Sequence, residues 1–117
     1  NAGKAADGWY STCDWAPYID TPVGSKFQES YKAKYNQNTE TSNAVTYDSV
    51  YLIKKACEVA DTTTDREAIN EALSKIDGLE GVLGTYKSQE DHGFLSEFYL
   101  TKIIDGKVLL QDKIKYR

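Results

Sequence analysis

The sequence predicts an α/β chain whose sheet is incomplete for the helices it carries. Three observations say so. Apolar residues recur at helical spacing in three separate segments. Short β-branched and aromatic runs, bounded by glycine and proline, stand before and after those segments. An Asp105-Gly106 pair then divides two strand-like runs near the end of the chain. Three helices need more sheet to cover than these few strands supply. The pattern therefore reads as part of a larger fold, or as a domain completed by another chain.

Each element has its own signal. Gly8–Cys13, GWYSTC, is a short strand of aromatic and β-branched residues. Asp14–Gly24 carries both prolines, Pro17 and Pro22, and reads as a connection. A helix follows over Ser25–Tyr35, where Phe27, Tyr31 and Tyr35 recur every four residues and stack on one face. The polar stretch Asn36–Thr41 breaks it. The next helix spans Ser42–Ala60. At about 100° per residue, Val45, Val50, Leu52, Ile53, Ala56, Cys57, Val59 and Ala60 share one broad half of its circumference. Asp48, Lys54, Lys55 and Glu58 take the other half, and Tyr47 and Tyr51 fall with them. Two large aromatics thus point away from the obvious core, beside a carboxylate.

Thr64-Asp65-Arg66-Glu67 reads as a capping box with Thr64 as the cap. Ala68, Ile69, Ala72, Leu73 and Ile76 form the narrow apolar stripe of the helix behind it, and Gly78 is placed to end it. Val82–Tyr86 is a strand and Lys87–Gly93 a polar turn. Glu97–Ile104 and Lys107–Lys115 are strands joined at Asp105-Gly106 by a type I′ turn.

Composition excludes more than it names. The 117 residues suit one domain, with 40% hydrophobic and 27% charged side chains, ordinary for a globular protein. A net charge of -4 argues against a nucleic-acid or anionic-membrane partner. No apolar run approaches the ~20 residues that span a bilayer. Cys13 and Cys57 have neither metal nor redox spacing and read as two small apolar fillers, with pairing left open. Catalysis finds little support. His92 stands alone in a polar turn, and no nucleophile elbow, phosphate loop or zinc helix motif is present. Gly78, Gly81 and Gly84 follow a helix, so they cannot present a helix N-terminus to a phosphate. No cofactor is implied. The nine tyrosines and two tryptophans are the more suggestive feature, because solute clefts use aromatic faces to cover apolar groups. Trp9, Tyr10, Phe27, Tyr31, Tyr35, Phe98 and Tyr99 are read as packing residues.

Motif order and spacing add a family. GKAADG at Gly3–Gly8, Phe27…Tyr31 with Tyr35, Ala44…Tyr47-Asp48 and Thr64–Ile69 with Ala72-Leu73 follow one another as in the type I periplasmic solute-binding proteins. Leu79-Glu80-Gly81…Gly84 and the hairpin at Asp105-Gly106-Lys107 continue the series. The chain resembles the branched-chain amino acid branch of that family most, over its C-terminal segment. Ser49 replaces the usual alanine after Tyr-Asp, and Lys87–Gly93 departs from the usual turn.

The resemblance implies two α/β lobes joined by crossovers, with residues 1–117 as a single C-terminal segment that supplies parts of both. The Tyr47 helix would belong to one lobe, and the first strand and closing hairpin to the other. Asp14–Pro17 and Tyr86–Gly93 would be crossovers. It implies an extracytoplasmic binding subunit of an ABC importer, working with a permease, with an amino acid as ligand and no enzymatic step. A ligand-sensing receptor domain of the same fold is the alternative. Tyr47 matches the family's ligand-touching tyrosine. Asp48 joins it as a site residue of structural or hinge character, and Tyr51 marks the cleft edge. The unpaired strand edges of such a segment invite self-association.

Overall fold

The structure, a computed structural model, describes residues 3–15, 21–95 and 98–114. A 3-10 turn at Gly3–Ala6 leads into β1 (Tyr10–Cys13). Three helices follow, α1 (Pro22–Tyr35), α2 (Thr41–Ala60) and α3 (Arg66–Ser74). The chain ends in β2 (Asp77–Glu80), β3 (Thr85–Ser88), β4 (Phe94–Leu95), β5 (Phe98–Ile104) and β6 (Lys107–Ile114). The strands form two antiparallel three-stranded sheets, ordered β1-β5-β6 and β2-β3-β4. The expected mixed α/β class, three helices and closing hairpin are all present. The radius of gyration is 16.6 Å, against about 13 Å for a compact domain of this length. The chain is extended, with the β1-β5-β6 sheet joined to the helical part through Trp15 and Tyr99 in one core cluster.

Local chemistry sets the boundaries, and several differ from the sequence reading. The first helix starts at Pro22, three residues earlier than its apolar pattern indicated. Thr21 is its N-cap and accepts a bond from the Gly24 amide at 3.0 Å. Pro22 suits the first turn because its missing N–H would have had no helical partner. Asn36, at φ 51°, closes the helix with its amide on the Lys32 carbonyl. Asp65, and not Thr64, caps α3, its carboxylate accepting from the amides of Glu67 and Ala68. Gly78 does not end α3. The Lys75 and Ile76 amides close the last turn on Ala72 and Leu73, and Gly78 serves a bulge in β2 at φ +85°.

The strand expected at Val82–Tyr86 is instead the end of a turn and the first two residues of β3. Gly81–Gly84 is the turn, with the Gly81 amide on the Gly84 carbonyl at 2.8 Å. β3 runs on through Lys87 and Ser88, residues read as loop, and pairs with β4. The polar turn is thereby shortened, and the crossover expected over Tyr86–Gly93 is instead a strand end and a hairpin turn. Pro17, in the other expected crossover, lies outside the described residues. Asp105 and Gly106 both take positive φ, as a type I′ turn requires.

Only one edge of the broad apolar half expected of α2, with Leu52 and Ala56, is buried. Its buried row is Ala44, Asp48, Leu52 and Ala56, one residue per turn. Val50 is 61% exposed and Ile53 54%, with Val45 and Val59 also exposed. The row that α3 and the Gly81–Gly84 turn cover is narrow, and no described element lies over the remaining apolar side. Among the packing aromatics, Phe27 and Tyr99 are buried, whereas Trp9, Tyr10, Tyr35 and Phe98 are exposed. Every described residue of β6 is exposed, including Val108, Leu109, Leu110 and Ile114.

Candidate functional site

A groove of about 840 Å³ runs between α1, α2 and the β2–β3 hairpin. Its helical wall is aromatic. Helical spacing of four places Phe27, Tyr31 and Tyr35 in a row on α1, and Tyr47 and Tyr51 in a row on α2. The rows meet where Phe27 and Tyr47 pack with ring centroids 4.8 Å apart. Tyr31–Tyr35 and Tyr47–Tyr51 stack at 4.7 and 4.8 Å, in tilted geometry. Tyr47 is 39% exposed and Tyr51 45%. The Tyr47 hydroxyl donates to the Tyr51 hydroxyl at 3.2 Å, and this bond, followed by burial, raises the Tyr47 pKa above the usual tyrosine range. Lys34 and Lys54 lie over the Tyr35 and Tyr51 rings at 5.3 and 5.9 Å. Ser30, Asn43 and Thr46 add polar groups on the helical side, and Leu79, Glu80, Gly81 and Tyr86 form the opposite wall.

Asp48 lies next to Tyr47 in sequence but serves a different contact. It is 2% exposed. Its carboxylate accepts from the amides of Val82 at 2.8 Å and Leu83 at 2.9 Å, and from the Tyr86 hydroxyl at 2.9 Å. A buried carboxylate is tolerated when its oxygens are this fully bonded. Burial first, and then the charge and hydrogen bond of Asp48, push the Tyr86 pKa far above its usual value. The phenol therefore stays protonated and remains a donor. Gly81 lets the turn approach, because a Cβ there would sit 2.6 Å from the Tyr86 ring and 2.7 Å from the Asp48 carboxylate.

The structure thus brings Tyr47 and Tyr51 together on the groove wall and turns Asp48 into its floor, toward the hairpin. Placing Asp48 on the solvated half of α2 is corrected: its partners lie 34 to 38 residues along the chain, beyond any helical periodicity. Phe27, Tyr31 and Tyr35 are groove residues that the sequence reading assigned to packing. Their four-residue spacing was visible; that the row would face Tyr47 was not. Cys13 and Cys57 are free thiols. No cluster of His, Cys, Asp and Glu suited to a metal ion is present among the described residues.

The sequence and the fold have counterparts in known proteins. The periplasmic binding protein family matches residues 1–107. The chain belongs to this family. Its fold is part of the type I periplasmic binding protein fold. It superimposes on the leucine-binding protein LivK of Thermotoga maritima with a TM-score of 0.83 and 29% identity, over 96% of this chain and 32% of that one. It matches the branched-chain amino acid transporter substrate-binding protein LivJ of Streptococcus pneumoniae, solved with isoleucine, with a TM-score of 0.78 and 27% identity. There the match covers 92% of this chain and 30% of the other. An ABC transporter substrate-binding protein of Sphaerobacter thermophilus gives 0.83 and 25%, over 96% and 32%. The chain thus spans about a third of the length of these structures. No curated protein sequence matches it. The first of these neighbours is named as a leucine-binding protein and the other two as substrate-binding proteins of transporters. No helix among the described residues is long and apolar enough to cross a membrane.

Proposed function

We propose that this chain is part of the extracytoplasmic solute-binding subunit of an ABC importer, and that the subunit takes up a branched-chain or related amino acid. It would supply the C-terminal segment of a two-lobe protein. The observation that carries the reading is the half-exposed Tyr47–Tyr51 pair on an aromatic groove, in a chain of this family. Tyr47 and Tyr51 are the proposed ligand-side residues, and Asp48 supports them from behind. The ring of Tyr47 would cover an aliphatic side chain, and its hydroxyl, backed by Tyr51, would orient a polar group. The likenesses to a leucine-binding protein and to a structure solved with isoleucine support an aliphatic amino acid as ligand.

Function on this reading needs no chemistry. The ligand bridges two lobes, the cleft closes around it, and the closed form is presented to a permease. The test is calorimetric titration of the two-lobe protein with leucine, isoleucine and valine, before and after Tyr47→Ala. Loss of one aromatic contact and one hydrogen bond is expected to weaken binding by about 1–3 kcal/mol, roughly 5- to 150-fold. An unchanged dissociation constant removes Tyr47 from the site. A wild-type protein that binds none of the three removes the ligand class.

A further inference from the structure

We propose that Asp48 is a positioning residue whose carboxylate clasps the Gly81–Gly84 turn to α2 and thereby sets the separation of the two groove walls. One wall is the ring row of α2, which carries Tyr47 and Tyr51. The other is the hairpin, with Leu79, Glu80 and Tyr86 around the clasped turn. Adjacent residues on a helix diverge by about 100°. Tyr47 therefore looks into the groove while Asp48, next to it, looks at the hairpin. The three bonds from Val82, Leu83 and Tyr86 to this one carboxylate are the hydrogen bonds between α2 and the hairpin among the described residues. The remaining backbone bonds of the turn close within it, and the hairpin is otherwise tied to Ile76 through the Ser88 amide.

The contacts that accompany the clasp are apolar. Val82 and Leu83 pack in the cluster that holds Ala44 and Leu52. Such contacts favour closeness without fixing a direction. Charge-assisted bonds at 2.8–2.9 Å to two successive amides fix both distance and orientation. Gly81 shows how close the approach is, since any Cβ there would collide with the carboxylate it flanks. The groove width is thus set by one side chain that does not itself offer a free oxygen to a ligand. The link to binding rests on the function proposed above; the wall geometry does not.

The test measures that geometry without ligand. Spin labels are placed on α2 at Lys55→Cys and on β3 at Lys87→Cys, in a Cys13→Ser, Cys57→Ser background, and the distance distribution is read by pulsed dipolar spectroscopy. Asp48→Asn is expected to broaden or lengthen the distribution at temperatures where far-UV circular dichroism is unchanged. Exchange of the Val82 and Leu83 amides should rise about tenfold or more, while the interior amides of α2 keep their rates. A residue that only stabilised the fold would speed all amides together and leave the distances unchanged below the melting transition; that result overturns the proposal. Should Asp48→Asn not fold, Tyr86→Phe removes one of the three bonds, and unchanged distances there overturn it equally. Leucine titration of the two-lobe protein separates the two readings. A changed distance with a wild type that takes up no leucine supports the clasp and sinks the binding reading. An unchanged distance with normal leucine binding does the reverse.

Discussion

Gly81→Ala should be among the most damaging single-methyl additions to this chain. The new Cβ would lie 2.6 Å from Cε2 of Tyr86, 2.7 Å from Oδ2 of Asp48 and 2.8 Å from Cγ of Asp48. Comfortable separations between carbon atoms are about 3.5–4.0 Å. Neither neighbour can step aside cheaply. The carboxylate holds two amides and a hydroxyl, and the Tyr86 ring is buried with its hydroxyl on the same carboxylate. If the carboxylate rotates, it loses bonds of about 1.5–3 kcal/mol each. If the turn shifts instead, the strain is that of overpacking, about 1–3 kcal/mol. The cheaper mixture gives about 2–4 kcal/mol. Gly78→Ala is the matched control. It has nothing within 4 Å, and its only cost is the left-handed backbone at φ +85°, about 1–2 kcal/mol. Urea unfolding followed by circular dichroism, at one fixed protein concentration, ranks the two. If Gly81→Ala costs no more than Gly78→Ala, close approach to the clasp is not what that glycine provides.

Tyr86 should govern the alkaline limit of stability. Its pKa in the fold is raised by burial and by Asp48, so its contribution is fully present below the unfolded value of about 10 and fades as pH climbs toward the folded one. Tyr86→Phe should therefore lower stability at neutral pH yet flatten its decline above pH ~10; parallel curves for the two proteins would contradict this. A thiol-specific reagent should count two free sulfhydryls per chain in denaturant, Cys13 and Cys57, and a count of zero would mean they pair. The chain by itself should associate, because β6 is exposed throughout and α2 shows Val50 and Ile53 to solvent. Light scattering that finds only monomer at high concentration would refute that.

Local rules were enough for much of this protein. That three helices lie near 22–35, 41–60 and 66–74 follows from apolar periodicity, their ends being set by caps, and Asp105-Gly106 fixes its hairpin because both residues accept positive φ. Tyr47 and Tyr51 were separable from the core by angle alone, since one helix cannot bury its whole circumference against few neighbours. What periodicity cannot carry is a partner distant in sequence. Asp48 looked solvated because a carboxylate is costly to bury alone; three donors from residues 82–86 remove that cost, and only folding brings them to it. Val82 and Leu83 looked like strand because they are apolar, and they are buried in a turn because Asp48 bonds their amides in place of a neighbouring strand. Phe27, Tyr31 and Tyr35 announced a shared face, but which helix that face would meet was decided by the packing of α1 on α2. Composition and spacing thus determined the three helices and the closing hairpin. The pairing of faces, and with it the groove, came from contacts between residues that the chain alone keeps apart.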